Sequence, residues 1–159
     1  MAAPFLYGGP VGDAIHRLKY RGRREVAREL GELVASSCLR LAAEADAIAP
    51  IALHPARRRE RGYDQALLLS REIARRAGRP LRPDLVRRIR PTPRQVGRDR
   101  TEREQNLAGA FEASPLARGL VVALVDDVVT TGATAEAASR AVMGAGAARV
   151  VVLAVARVV

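Results

Sequence analysis

Apolar positions along this chain follow two rhythms. At Ile15 and Leu18, and again at Val26, Leu30, Leu33, Val34 and Leu41, they recur at the spacing of one helical face. The pattern predicts helices over Asp13–Tyr20 and about Arg24–Ala43, broken at Arg21-Gly22-Arg23. Elsewhere the apolar residues form short unbroken runs bounded by Gly and Pro, the mark of strands buried on both faces of a parallel sheet. Such runs lie at Ala47–Leu53, Leu85–Ile89, Val121–Val125 and Val150–Val155, with a brief one at Ala110–Glu112. Pro50 moves the first of them toward a sheet edge or a bend. Asp64 caps a predicted helix reaching about Arg76 and ended by Gly78 and Pro80, and an Ala-rich helix runs from Ala135 to Ala145. The Gly- and Pro-rich start through Gly12 reads as a surface loop, and Ser114–Gly119 as a turn. Strands alternating with helices predict an α/β fold: a mainly parallel twisted sheet with helices on both faces and ligand loops at the strands' carboxyl ends.

One stretch fits neither rhythm. Arg90–Arg103 is polar, basic and broken by proline, and a run of that kind inside a compact domain reads as a functional lid or a disordered loop. A short helix over Arg100–Leu107 closes it, because Asp99 followed by Glu102 resembles a capping box. No repeat or linker divides the 159 residues, so residues 1–159 form one domain, with 1–45 as an N-terminal helical segment packed on it.

Composition narrows the picture. Aromatic residues are only 3% of the chain, so the core must be aliphatic and the usual stacking platform of a single-strand binder is missing. The formal charge of +10 is carried almost wholly by arginine and attracts polyanions, either nucleic acid or phosphorylated small molecules. The cluster Arg17, Lys19, Arg21, Arg23 and Arg24 reads as a solvated helical face. Cys38 is the sole cysteine, which excludes an intrachain disulfide and a cysteine zinc cluster; its apolar surroundings predict a buried thiol. Met1–Pro10 lacks the basic start and apolar core of a signal peptide, and Val150–Val159 is too short to span a bilayer and carries Arg157. A cytoplasmic protein without a membrane role is expected.

The chemistry concentrates after Val121–Val125. Asp126 and Asp127 follow the apolar run, then Val128 and Val129, then Thr130-Thr131-Gly132-Ala133-Thr134 leading into the Ala-rich helix. The backbone N–H groups and positive dipole end of a helix start attract a phosphate. Gly132 allows close backbone approach, and the threonines add uncharged donors. The carboxylates accept hydrogen bonds only and suit sugar hydroxyls or hydrated magnesium; neither is needed for packing there. A P-loop ATPase is excluded, since it needs a lysine-bearing glycine loop and the only lysine is Lys19. The threonines could otherwise serve only to cap the helix. A second strand, basic turn and helix start occurs at His54-Pro55-Ala56-Arg57-Arg58-Arg59, where arginine density favours an anion.

The Val121–Thr134 stretch resembles the phosphoribosyl pyrophosphate signature of type I phosphoribosyltransferases. Pro50–Pro55 followed by Arg61-Gly62-Tyr63-Asp64-Gln65, and Thr92-Pro93-Arg94-Gln95 leading through Arg103 and Asn106 to Gly109-Ala110-Phe111, resemble the ComF branch of phosphoribosyltransferase-domain proteins, as does Leu18-Lys19-Tyr20. The resemblance covers nearly the whole chain from about Tyr7. It implies a type I phosphoribosyltransferase-like fold and magnesium-dependent displacement of pyrophosphate from C1 of ribose by a nitrogen nucleophile. Carried over, Asp126 and Asp127 are the catalytic pair at the ribose hydroxyls, with magnesium near them through the ligand, and Thr130, Thr131, Gly132, Ala133 and Thr134 hold the 5′-phosphate. His54, Arg57, Arg58 and Arg59 bind pyrophosphate, and Arg94, Gln95 and Arg98 lie on a flexible closing loop. No residue marks the acceptor. The alternative is a non-catalytic competence-associated protein that senses phosphoribosyl pyrophosphate or binds nucleic acid or competence proteins.

Two features depart from the family pattern. Members commonly carry an N-terminal zinc ribbon on paired cysteines, absent from this sequence. Asp64 stands where asparagine is usual: either caps a helix, but a further negative charge beside pyrophosphate would weaken binding.

Overall fold

The computed structural model describes residues 1–20, 23–91, 107 and 109–159. Four strands form one parallel sheet: β1 (Phe5–Leu6), β2 (Ala47–Pro50), β5 (Val121–Val129) and β6 (Arg149–Arg157), in the order β1-β6-β5-β2. A separate antiparallel pair joins β3 (Val86–Arg88) to β4 (Phe111–Ala113). The helices are α1 (Gly9–Tyr20), α2 (Val26–Ser37), α3 (Leu39–Ala43), α4 (Pro55–Arg61), α5 (Gln65–Ala77) and α6 (Ala133–Gly144).

Side chains of a strand alternate between faces, so β5 serves two cores. Ala123 and Val125 join Ile15, Leu18, Leu30, Val34, Leu69 and Ile73 beneath α1, α2 and α5. Val122 and Leu124 join Val86, Phe111, Ala138 and Val142 beneath α6 and the β3–β4 pair. Burying each Leu or Ile of these layers stabilises the fold by about 1.5–3 kcal/mol, which is how so few aromatic residues suffice. The expected sheet with helices on both faces is therefore present.

Several boundaries differ from the sequence reading, each for a reason outside the local pattern. The start of the chain is not a loop. Phe5 and Leu6 pair with Ala156 and Arg157 and cover the outer side of β6, and α1 begins at Gly9 instead of Asp13. The long second helix breaks at Cys38 (φ −121°), whose N–H still donates to Val34 O at 2.8 Å. Burial pushes the Cys38 thiol above its ordinary value. The basic turn after His54 is a helix, α4. Pro55 opens it and Gly62, at φ 77°, closes it in the left-handed region. β2 is an edge strand, as Pro50 requires, and Ile48 shields it by exchanging backbone bonds with Pro80 and Arg82. Arg90–Arg103 and the predicted Arg100–Leu107 helix fall almost entirely outside the described residues, and the flexible-loop candidates Arg94, Gln95 and Arg98 lie wholly outside them. Among the described residues no helix is long and apolar enough to cross a membrane.

Candidate functional site

The site is built on the second half of β5. Pairing with β6 continues past the apolar run, with Asp126 opposite Ala154, Val128 opposite Ala156 and Val129 opposite Arg157. The acidic pair thus lies within the strand instead of following it, and its two carboxylates point to opposite faces. Asp127 shares the face of Ala123 and Val125, toward α1. Its Oδ2 lies 2.9 Å from Lys19 Nζ, with the two side chains 5% and 22% exposed, and its Oδ1 accepts from Val128 N at 2.7 Å. The expectation that neither carboxylate is needed for packing is wrong for Asp127, which is buried and ion-paired. The solvated face expected for Lys19 is corrected with it: Lys19 turns inward and crosses to the acidic strand.

Asp126 faces the other way. Its Oδ1 accepts from Asp127 N at 2.8 Å, and its side chain lines a small depression with Thr130, Gly132, Ala133 and Thr134 at the start of α6. Gly132, at φ 83°, turns the chain into α6 in a conformation that a side chain would strain. Thr131 Oγ1 accepts from Ala133 N at a long 3.5 Å, while the other first-turn N–H groups of a helix lack intrahelical partners and remain available to an anion. Burial and the adjacent Asp127 carboxylate push Asp126 up to about 8, although Lys19 pulls the other way. For Lys19, burial opposes the charged form, but the ion pair with Asp127 outweighs it and holds the ammonium above its ordinary value.

Beside the end of β2 lies a cavity of about 480 Å³, bordered by Pro50, Leu53, Arg58, Arg59, Arg87 and Arg88 among others. Arg58 and Arg59 come from α4; Arg57 and His54 are not among its lining residues. His54 caps α4, its Nδ1 accepting from Ala56 N at 3.2 Å. Asp64 lines the cavity but spends its charge internally: Oδ2 accepts from Leu53 N at 2.8 Å and Oδ1 from Leu67 N at 3.2 Å. Arg88 links the two halves. It borders the cavity, stacks its guanidinium 5.5 Å over the Phe111 ring, and is held below its ordinary value by burial and by Arg57, with Asp126 acting in the opposite direction.

Lys19 and Arg88 escaped the sequence reading as site residues. A signal existed for Lys19, the one lysine in a chain that otherwise uses arginine. None existed for Arg88, whose place depends on how β3 packs.

A second grouping is aromatic and basic. Tyr20, 59% exposed, has His16 at 4.9 Å between ring centroids and the Arg61 guanidinium 5.4 Å over its ring. Arg24 lies 5.0 Å over the ring of Tyr63, whose hydroxyl donates to Leu18 O. Tyr63 is buried, so Tyr20 is the exposed ring of this grouping.

No family model matches the chain. It is 34% identical to Competence protein F of Haemophilus influenzae over 142 residues, 80% of this chain and 59% of that protein. It is 31% identical to the DNA utilization protein YhgH of Salmonella typhi over 149 residues, 91% of this chain and 66% of that protein. The chain therefore spans about three-fifths to two-thirds of the length of these relatives. Glutamine phosphoribosylpyrophosphate amidotransferase from B. subtilis superposes with a TM-score of 0.55 at 23% identity over 79% of this chain and 25% of that one, a likeness of fold. The α/β architecture with its four-stranded parallel sheet is that of type I phosphoribosyltransferase domains, and by sequence the chain belongs to the ComF/YhgH family.

Proposed function

We propose that the protein binds phosphoribosyl pyrophosphate with magnesium and transfers its phosphoribosyl group to a nitrogen nucleophile. The observation that carries this reading is the shared depression of Asp126 with Thr130, Gly132, Ala133 and Thr134: a carboxylate for ribose hydroxyls beside a helix start for the 5′-phosphate. Thr131 completes the turn, and Arg58 and Arg59, which border the cavity, meet the pyrophosphate from α4, the helix that His54 caps and that also carries Arg57. In the reaction the nitrogen lone pair forms a bond to C1 while the C1–O bond to pyrophosphate breaks. Asp126, which lines the depression, places negative charge beside the ring as positive charge develops on it, Asp127 holds the strand behind it, and the arginines receive the leaving anion.

Magnesium fits the donor set. Among the described residues no group of three or more His, Cys, Asp or Glu would cage a metal, and Mg²⁺ is ordinarily held by one or two carboxylates together with phosphate oxygens and water. Asp126 is the carboxylate that would share it with the ligand, where the ion supplies charge neutralisation to the pyrophosphate.

Thermal unfolding with and without magnesium and phosphoribosyl pyrophosphate tests the binding. Saturation at 100 times Kd stabilises a protein by about 2.7 kcal/mol, readily visible as a rise in Tm. An unchanged Tm at millimolar ligand overturns the reading.

The aromatic and basic grouping of His16, Tyr20 and Arg61 favours a second reading: a competence-associated protein that binds single-stranded nucleic acid or competence proteins, or senses phosphoribosyl pyrophosphate without turnover. The relatives named for competence and DNA utilization support it. Product formation by the protein alone decides between turnover and sensing.

A further inference from the structure

The acidic pair lies within a strand, where successive side chains point to opposite faces. β5 keeps its register with β6 across the pair, with Asp126 opposite Ala154 and Val128 opposite Ala156. Asp127 is buried, with Oδ1 accepting from Val128 N at 2.7 Å and Oδ2 ion-paired with Lys19 Nζ at 2.9 Å, and it does not line the depression at the start of α6. Asp126 does line it.

We propose that the two carboxylates divide the work: Asp127, fixed by Lys19 from α1, is the anchor that sets the strand, and Asp126 alone is presented to the ligand. Lys19 is then a positioning residue that acts through Asp127. The geometry gives it two consequences. It neutralises a buried carboxylate that would otherwise stand beside Asp126, and it ties the N-terminal helix to the strand carrying the site. The backbone link is short: Asp127 N donates to Asp126 Oδ1 at 2.8 Å, so a shift of Asp127 moves the acceptor that Asp126 offers. This division rests on the phosphoribosyl pyrophosphate reading for the identity of the ligand, but the anchor itself does not depend on it.

The test combines melting with calorimetric titration of phosphoribosyl pyrophosphate and magnesium, the latter well below the melting transition. Asp126→Asn is expected to lower affinity about tenfold or more, the effect of losing a charged partner, with Tm at or above the parent. Asp127→Asn and Lys19→Met each lower Tm, because either leaves its partner's charge buried alone. The double variant Lys19→Met with Asp127→Leu regains most of that Tm. Lys19→Met also weakens binding severalfold and Lys19→Arg restores it, a pattern that loss of stability alone would not give. Asp127→Asn that abolishes binding at parental Tm, or additive Tm losses in the double variant, overturns the proposal. If the parent binds no phosphoribosyl pyrophosphate, the functional reading falls, and the melting cycle still decides the anchor: coupled losses support it and additive losses sink it.

Discussion

Burial and the Asp127 charge hold the Asp126 carboxyl near 8, against an ordinary value of 3.8. Between those two pH values the folded protein keeps a proton that the unfolded chain has released. Raising the pH through that window therefore weakens the fold. Lys19 acts elsewhere on the scale: its raised value means its contribution is complete at neutral pH and fades only in strongly alkaline solution. Asp126→Asn removes the first titration. Melting the variant and the parent from about pH 4 to about pH 9 should show the variant ahead at the alkaline end and the two converging at the acid end. Parallel curves would mean that Asp126 is already ionised throughout. A carboxyl protonated in the unliganded protein and ionised beside a magnesium-bearing ligand would also release a proton on binding, so measured affinity would rise with pH over the same window.

At the scale of elements, α2 packs tightly on α5 at Gly31. A Cβ built there would stand 2.6 Å from Glu72 Cβ and 3.4 Å from Leu69 O, too close without separating the helices. Gly31→Ala should cost about 1–3 kcal/mol, the range for overpacking a tight contact. Gly12, in α1, has open space around its missing side chain and a helical backbone, so Gly12→Ala should stabilise by about 0.4–1 kcal/mol. Denaturant midpoints of the two variants should move in opposite directions at constant slope; two equal shifts would refute the close packing at Gly31.

Elements were legible where local chemistry alone decides them. Asp64 caps α5 through Leu67 N, Gly78 ends it in the left-handed conformation, and Pro50 lies at a sheet edge, all as their residue types require. What was illegible depends on partners distant in sequence. β5 continues through Asp126 and Asp127 because β6 runs beside it, and Phe5–Leu6 becomes a strand because β6 has an edge to cover. The acidic pair could therefore be found in the sequence, but not the opposite directions of its two carboxylates, nor the lysine that occupies one of them. The α4 helix is a different failure. Pro55 at its start and Gly62 at its end were both visible, but the density of arginine between them read as a turn.

At the scale of the whole molecule, a formal charge of +10 is ambiguous until it is divided by place. Arg58 and Arg59 border the cavity beside β2, among apolar walls from Pro50 and Leu53. Arg17 and Arg23 border a separate depression with Glu25 and Val26, and Arg61 stacks on exposed Tyr20. Neutralising Arg58 and Arg59 to Gln should weaken binding of phosphoribosyl pyrophosphate strongly, because a partly desolvated anion loses two charge-assisted partners, and should change oligonucleotide binding little. Neutralising Arg17, Arg23 and Arg61 to Gln, with Tyr20→Ala, should do the reverse. For a single strand each lost phosphate contact reduces the slope of log K against log salt by about 0.7, so three lost contacts reduce it by about 2. Loss of the Tyr20 ring removes a stacking contribution of about 1–3 kcal/mol that salt does not screen, which lowers affinity at every salt concentration. Titrating both variants and the parent with magnesium phosphoribosyl pyrophosphate and with a short single-stranded oligonucleotide at two salt concentrations separates the surfaces. If the Arg58 and Arg59 variant loses both ligands together, a single basic surface serves both, and the division of charge drawn from the structure is wrong.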